Sequence, residues 1–343
     1  MYTILKDIIF MKKVLITGIT GMVGSHLAEL LLTKTNWKIV GMIRWNSKFE
    51  NIQNILNNKR VILETADLTD SISINKLIKK HKPNYIFHLA AQTYPKVSFD
   101  NPLETYNTNI SGTTRLLEAC KEFCKKAKIH VCSSSEVYGK VDKKDIPISE
   151  NVKFHPASPY AISKVGTDLV AQHYASAYKM NIFITRMFTH TGPRRTDFFH
   201  ESTFAKQIAL MEKNKIKKPK IFVGNLNSLR TYADVRDAVS AYYLLMLSKK
   251  TQKGDVFNIG GNKSIKVGQT LQYLIKISKL NNVKIIKETS RLRPIDADLQ
   301  IPNISKFKET VKWKKKYSFH DTMEDLLNYW RKALSRQKET LIR

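Results

Sequence analysis

The chain has 343 residues, with 58 Lys and Arg against 29 Asp and Glu, a formal net charge of +29, and 42% hydrophobic residues. That length accommodates two domains and a sizeable core, and no apolar run approaches the ~18 residues of a membrane span, so a membrane role is set aside. The lysines are spread along the whole chain and no nucleic-acid motif accompanies them, so the charge reads as a solvated surface rather than a nucleic-acid site.

Residues 1–10 (MYTILKDIIF) carry charges inside their apolar stretch and lack a small-residue cleavage site, unlike a signal peptide. Met11-Lys-Lys-Val precedes the first strand directly, so residues 1–10 read as a start-site extension. The first strand is KVLIT (13–17), apolar and rich in β-branched residues. Gly18-Ile-Thr20-Gly21-Met22-Val23-Gly24 follows, and then the helical pattern SHLAELLL. Gly18 permits the tight turn, Gly21 lets the backbone approach a pyrophosphate, and Gly24 lets helix and strand pack closely. The second strand, KIVGMI (38–43), ends at Arg44, 20 residues past Gly24. An NAD-binding fold places an acid near that point for the ribose 2′-hydroxyl. A basic residue there pairs instead with a 2′-phosphate, so NADP is expected as cofactor and NAD is the less favoured choice.

The third strand, RVILETAD (60–67), ends in Asp67-Leu68, which suits an adenine edge. The fourth, YIFHLAAQ (85–92), ends in His88-Leu89-Ala90-Ala91, where small residues leave room for a dinucleotide. His88 reads as a packed strand-end residue with no chemical role. A helix is expected over 103–125, and a fifth strand, IHVCSSS (129–135), carries Ser134 and Glu136 at its end. Cys120, Cys124 and Cys132 are odd in number and apolar in setting, so they read as free thiols of a reducing, cytoplasmic compartment. No further ligands accompany them, so no metal is expected. A helix over 158–179 brings Tyr160 and Lys164, four apart, onto one face. A lysine cation beside a tyrosine favours the phenolate, which can take a proton from a sugar hydroxyl while hydride leaves the carbinol carbon. Ser134 can hydrogen-bond the same oxygen. Glu136 exceeds the needs of hydride transfer alone and points to a proton step at a neighbouring carbon. The helix 234–248 and the strand DVFNIG (255–260) are expected to return to the sheet. Alternating strands and helices give an α/β class with a doubly wound parallel sheet.

From Met11 to about Trp330 the chain resembles the extended short-chain dehydrogenase/reductase superfamily, and within it the GDP-sugar 4,6-dehydratases. The carriers are ITGITGxxGSxLAE, ADLTDS (66–71), AAQ…SFD (90–100) and SSSEVYGKV (133–141). Four further segments, 87–102, 185–212, 223–238 and RPIDAD (293–298), are similar to the branch acting on GDP-N-acetylglucosamine in bacterial legionaminic acid biosynthesis. The resemblance implies a Rossmann-type fold with a smaller α/β C-terminal substrate domain. It divides the chain into 11–187 plus 229–258 for the cofactor and 188–228 plus 259–335 for the nucleotide sugar. It implies Ser134, Glu136, Tyr160 and Lys164 as catalytic residues. Cofactor contacts fall to the glycine loop, Arg44, Asp67, Leu68, Leu89, Ala90, Ala91, Tyr160 and Lys164. Nucleotide-sugar contacts fall to Ser135, Arg195, Asn225, Arg230 and Arg293. Thr189 stands where the family carries Asn, and Ser134 where GDP-mannose dehydratases carry Thr.

The implied chemistry starts with Tyr160 taking the proton of the sugar 4-hydroxyl as hydride moves to the cofactor. Glu136 then removes the C5 proton and helps the C6 hydroxyl leave as water, and the hydride returns to C6. The substrate implied is a GDP-sugar, GDP-N-acetylglucosamine or GDP-mannose, and the family analogy adds a homodimer or homotetramer through helices 103–125 and 158–179. Two relatives of the same fold stay open. One is a GDP-4-keto-6-deoxyhexose reductase consuming NADPH. The other is a nucleotide-sugar 4-epimerase, which usually has a small residue at the position of Glu136. A non-catalytic NADP-binding regulator would be expected to lack Ser134, Tyr160 or Lys164.

Overall fold

The structure is a computed structural model and describes residues 11–261, 263–291 and 299–339. The proposed start-site extension 1–10 and Arg293 lie outside the described residues.

Seven short apolar segments make one parallel sheet. In chain order the cofactor-facing layers begin with β1 (Lys13–Thr17), α1 (Met22–Lys34), β2 (Lys38–Ile43), β3 (Val61–Thr65), α2 (Ser71–His81) and β4 (Tyr85–His88). They continue with α3 (Gly112–Phe123), β5 (Lys128–Cys132), α4 (Pro159–Ala177) and β6 (Asn181–Met187). After α5 (His200–Lys213) and α6 (Val235–Leu247), β7 (Val256–Ile259) closes the sheet. The strand order is β7-β6-β5-β4-β1-β2-β3, all parallel. Order reverses between β1 and β4, and the carboxyl ends of strands at such a switch point form a crevice.

Central strands are buried on both faces, so they read as continuous apolar runs rather than alternating ones. Leu27, Leu31 and Phe87 pack with Val239, Tyr242 and Leu245 of α6 on one face. Ile74, Leu77, Leu116, Ile129 and Ala171 fill the other. A separate third core joins Phe204 and Ile208 of α5 to Leu271, Leu274 and the last helix, α7 (Phe319–Glu339), through Leu326 and Leu327. No helix among the described residues is long and apolar enough to cross a membrane.

Three strands end sooner than the apolar runs suggest. β3 stops at Thr65, β4 at His88 and β5 at Cys132. Asp67-Leu68, Leu89–Ala91 and Ser133–Ser135 are therefore loop residues beyond the strand ends, although Ser133 N–H still donates to the Thr185 carbonyl of β6 at 2.8 Å. The helix expected over 103–125 is broken. Pro102–Tyr106 leads into a π turn at Asn107–Ser111 before α3 begins. The π turn inserts an extra residue and turns Asn109 inward, where its side chain is buried.

Candidate active site

A cleft of about 2190 Å³ runs along the carboxyl ends of the strands. Single-ligand pockets reach up to about 1,000 Å³, so this one has room for two ligands end to end. It is lined by Gly18, Thr20, Gly21, Met22, Val23 and Gly24 at one end and by Arg195 and Arg230 toward the other. Ser134, Ser135, Glu136, Tyr160 and Lys164 lie on its wall.

The glycine loop is built so that backbone alone faces the cleft. Gly18 has φ +72°, and a Cβ there would sit 3.1 Å from the Ala90 backbone. A Cβ on Gly24 would come 2.3 Å from the Gly18 carbonyl oxygen. The helix α1 starts at Met22 with Gly21 as N-cap, no side-chain cap and no acid in its first turn. Its leading N–H groups and the positive end of its dipole are thus left for an anion. This cradle fits the pyrophosphate of a dinucleotide. Thr17 Oγ1 accepts from the backbone N–H of Leu89 and Ala90, both at 3.0 Å, and so ties the end of β4 to that of β1. Leu89, Ala90 and Ala91 line the cleft as a result, as do Asp67 and Leu68. Asp67 Oδ1 accepts from Thr69 N–H at 2.9 Å. His88 is buried and bridges Thr17 Oγ1 at 3.0 Å and Thr113 Oγ1 at 2.9 Å, and burial pushes its pKa down to about 3. It is a neutral tie between strand and helix.

Arg44 lines the cleft at the end of β2, together with Asn46, Ser47 and Lys48, which sequence reading did not single out. Ser47 Oγ accepts from the Arg44 N–H at 2.8 Å and makes this a tight turn. Asn51 donates to the Thr20 carbonyl at 2.9 Å and pins the following 3₁₀ helix onto the glycine loop.

Ser134 is the N-cap of the 3₁₀ turn Ser135–Tyr138, accepting from Glu136 N–H at 3.2 Å. Gly139 closes that turn at φ +54°, where a Cβ would come 1.6 Å from the His155 carbonyl oxygen. Only glycine fits there. Pro159 at N1 and Ser158, which accepts from Ala161 N–H at 3.1 Å, start α4 immediately before Tyr160. Tyr160 N–H donates to Ser98 Oγ at 2.9 Å. Buried Asn109 donates to Ser163 Oγ at 2.8 Å and to the Gln92 carbonyl at 2.9 Å, so the π turn locks α4 to the β4 loop.

The electrostatics differ from the simple Tyr–Lys expectation. Lys164 Nζ donates to the Cys132 carbonyl at 2.6 Å, and burial lowers its pKa. Burial likewise pushes the Tyr160 phenol well up. The hydrogen bond from Ser134 works against that, the charges of Cys132 and Glu136 add to it, and Arg195 opposes it. Desolvation therefore outweighs the Arg195 cation at this phenol.

The far wall carries more charge. Arg194 and Arg195 follow Gly192-Pro193, and Arg194 has φ +72°. Arg194 Nη2 pairs with Glu29 Oε1 of α1 at 2.6 Å. His26, pushed down to about 4 chiefly by burial, bonds the Pro193 carbonyl at 3.2 Å. The Arg195 guanidinium stacks over the Phe199 ring at 3.3 Å, and Tyr94 packs on Phe198 at 4.6 Å. Thr189 and Arg230 line this part of the cleft, and Arg230 is buried. Asn225 does not line it. Its amide donates to Ser228 Oγ at 2.9 Å. Asp325, Tyr329, Lys332 and Arg336 of α7 also face the cleft, which the sequence did not indicate. Among the described residues no cluster of His, Cys, Asp and Glu could hold a metal ion.

Residues 15–326 match the family model described as GDP-mannose 4,6 dehydratase. The chain is 32% identical to GDP-mannose 4,6 dehydratase 2 of Caenorhabditis elegans, covering 92% of this chain and 88% of that protein. It is 27% identical to GDP-6-deoxy-D-mannose reductase of Pseudomonas aeruginosa, covering 93% and 97%. Among solved structures it superposes on the NADPH complex of RMD from Pseudomonas aeruginosa with a TM-score of 0.80 at 25% identity, covering 94% and 99%.

Proposed function

Since the chain belongs to the GDP-mannose 4,6 dehydratase family, we propose that it dehydrates a GDP-hexose to the 4-keto-6-deoxy sugar. The observation that carries this is the position of Glu136. It shares a wall with Ser134, Tyr160 and Lys164, and its charge is felt at the Tyr160 phenol. A nicotinamide bound along the glycine loop supplies a hydride acceptor and then a hydride donor, with no net redox change.

The chain's own residues move the protons. Tyr160 receives the proton of the sugar 4-hydroxyl, and Ser134 holds that oxygen by a hydrogen bond. Lys164 holds the Cys132 carbonyl at the end of β5, one turn along α4 from Tyr160, and the Arg195 charge offsets part of the burial cost of the phenolate. Glu136 takes the C5 proton, made acidic by the 4-ketone, and passes it to the departing C6 hydroxyl, which leaves as water; when hydride is returned to C6, C5 takes a solvent-derived proton through Glu136 and Tyr160 releases its own to solvent. Phe188, Phe199 and Tyr94 give the cleft an aromatic lining that lowers the polarity around the reacting carbons.

Arg44, Asn46, Ser47 and Lys48 favour NADP over NAD through the 2′-phosphate. Arg195 and Arg230 suit the diphosphate, with their planar forks; Ser135 is assigned to the sugar, and the family resemblance adds Asn225 and Arg293 to the nucleotide-sugar contacts. Residues 11–187 with 229–258 serve the cofactor and 188–228 with 259–335 the nucleotide sugar. GDP-N-acetylglucosamine is favoured over GDP-mannose on segments 87–102, 185–212 and 223–238. The exposed Leu103, Ile162 and Leu169 support a homo-oligomer, and the free thiols a cytoplasmic setting.

The test is incubation with each GDP-hexose, without added reductant, in deuterated water. Parent protein is expected to lose one water from the sugar and exchange C5. Glu136→Gln should keep the transient NADPH absorbance and lose dehydration by roughly 10²–10⁴-fold. Tyr160→Phe should block both steps. A Glu136→Gln protein dehydrating at the parent rate would reduce Glu136 to a packing role. The reductase reading has one observation in its favour, the 27% identity to a reductase over 97% of that protein's length. It requires stoichiometric NADPH and no loss of water.

A further inference from the structure

On the substrate wall a buried carboxylate meets an arginine and a histidine without the alignment that buried charges usually find. Glu201, in the first turn of α5, is 1% exposed. Arg195 Nε lies 3.4 Å from its Oε1 and His200 Nε2 lies 3.4 Å from its Oε2. Neither carboxylate oxygen nor Arg195 Nε makes a hydrogen bond among the described residues. A carboxylate withdrawn from water is unfavourable unless it does something its neighbours need. Several restraints nearby bear on Arg195. Ser202 Oγ donates to the Arg195 carbonyl at 2.7 Å, and Arg195 N–H donates to Gly192 at 3.2 Å. Phe199 lies under the guanidinium face. Glu201 stands against the remaining edge, the Nε side. His200, on the other side of the carboxylate, bonds Tyr232 Oη at 2.7 Å.

We propose that Glu201 is the positioning residue for the diphosphate of the nucleotide sugar: it holds the Nε edge of Arg195 so that the two terminal nitrogens present a fork to the phosphate oxygens. This rests on the nucleotide-sugar reading above. A guanidinium meets phosphate best through two parallel N–H bonds, and that geometry is lost when the side chain is free to rotate. Counting charges alone gives the opposite sign. A carboxylate beside an anion site repels the anion, and its removal would tighten binding.

The experiment is calorimetric titration of GDP into the full chain loaded with NADP, with steady-state kinetics on the same proteins. Glu201→Gln is expected to bind GDP about ten-fold more weakly, because the guanidinium loses the charge that fixes its Nε edge. KM for the GDP-hexose should rise by a similar factor while kcat stays within about two-fold, since the contact is the same in ground and transition states. Combining Glu201→Gln with Arg195→Gln should weaken GDP no further than Arg195→Gln alone. Should Glu201→Gln fail to fold, Glu201→Asp keeps the charge but shortens the reach, and weaker GDP binding is expected there too. GDP affinity equal to or tighter than the parent's in the glutamine variant, or in the aspartate variant if that alone folds, overturns the inference and leaves the dehydratase reading standing. A double variant weaker than Arg195→Gln overturns action through Arg195. A parent that fails to bind GDP overturns the nucleotide-sugar reading and the inference with it.

Discussion

Along one wall of the cleft the glycine loop, proposed to hold the dinucleotide, is made of backbone, and along the other the wall proposed for the nucleotide sugar is made of charged side chains. On the first, the close approaches are those of Gly18 to Ala90 and Gly24 to the Gly18 carbonyl, and the side chains behind them are hydrogen-bonded, as Thr17 and His88 are. On the second, Arg194 Nη1, Arg195 Nε and both oxygens of Glu201 are buried without a hydrogen-bond partner among the described residues. All the other such atoms except His130 Nδ1 also belong to residues 191–300. Recognition through backbone needs small residues and close packing, so it leaves the folded chain relaxed. Recognition through charge needs ions held out of water at fixed angles, so it leaves polar atoms whose best partners are a ligand's.

The sharpest way to break this contrast is to compare two buried ion pairs. Arg186 and Asp168 are 4% and 0% exposed, and the pair is fully aligned at 2.8 Å. Arg186 Nη1 also donates to Tyr138 Oη at 3.0 Å and to the Glu150 carbonyl at 2.8 Å. Asp168→Ala should cost about 3–5 kcal/mol in urea unfolding, because it strands a buried guanidinium. Glu201→Gln should cost about 1–2 kcal/mol, since no aligned hydrogen bond is lost. Equal losses would show that the substrate wall is as tightly built as the core.

Arg44 is the exception on the cofactor wall, a side chain reaching where backbone does the rest. Arg44→Asp is expected to weaken NADP by about 1.5–3 kcal/mol while leaving NAD affinity nearly unchanged. Equal NADP binding in variant and parent would leave Arg44 a solvated strand-end residue. The glycines give a graded version of the same test. A Cβ on Gly24 meets Gly18 O at 2.3 Å and Ile19 Cα at 2.8 Å, whereas one on Gly21 meets Gly18 O at 3.3 Å. Gly24→Ala should destabilise by about 1–3 kcal/mol and impair dinucleotide binding. Gly21→Ala should fold normally. If both variants melt with the parent, the cradle is less tightly packed than the distances imply.

The same contrast explains what could be read from the sequence. The glycine loop, Asp67, Ala90, Ser134 and the Tyr160–Lys164 pair each sit within a few residues of a strand end or on one helical turn. Local spacing therefore carries them. Asn46, Ser47 and Lys48 lie in a loop with no periodicity to mark them, although they follow Arg44 directly. Asn109 was hidden because the apolar period of 103–125 runs smoothly through the π turn. Glu201, Tyr232 and the cleft-facing residues of α7 come from segments far apart in the chain, assembled by the third core. The helical pattern of 319–339 shows an apolar face but not which neighbour it meets, nor that its opposite side closes a cleft. Asn225 shows the limit of a segment match, which gives a residue's place in the chain but not its partners: its amide donates to Ser228 Oγ.

The smallest expected effect concerns the histidine that ties the two sides of the switch point together. Burial, with the charge of Lys164 as a lesser cause, pushes His88 down to about 3. In the unfolded chain a histidine titrates near 6.5. Above that value both states are neutral and His88 contributes nothing to pH dependence. Between about 6.5 and 3 the unfolded chain takes up a proton that the folded protein refuses, so unfolding is favoured as pH falls. The slope is about 1.4 kcal/mol per pH unit for this one residue. His130, also pushed to about 3, and His26 and His190, each pushed to about 4, add slopes of the same sign. Buried carboxylates such as Glu201, whose pKa is lowered from 4.5, come into play only below that value. The interval from pH 6.5 to 5 therefore isolates the histidines. His88→Gln can keep hydrogen bonds to Thr17 and Thr113 without titrating. Urea unfolding of parent and variant at several pH values in this interval should give a stability–pH line shallower by about 1.4 kcal/mol per unit in the variant, whatever its stability at neutral pH. Parallel lines would mean that His88 is protonated in the folded protein, and the neutral tie between β1, β4 and α3 would have to be replaced by a charged one.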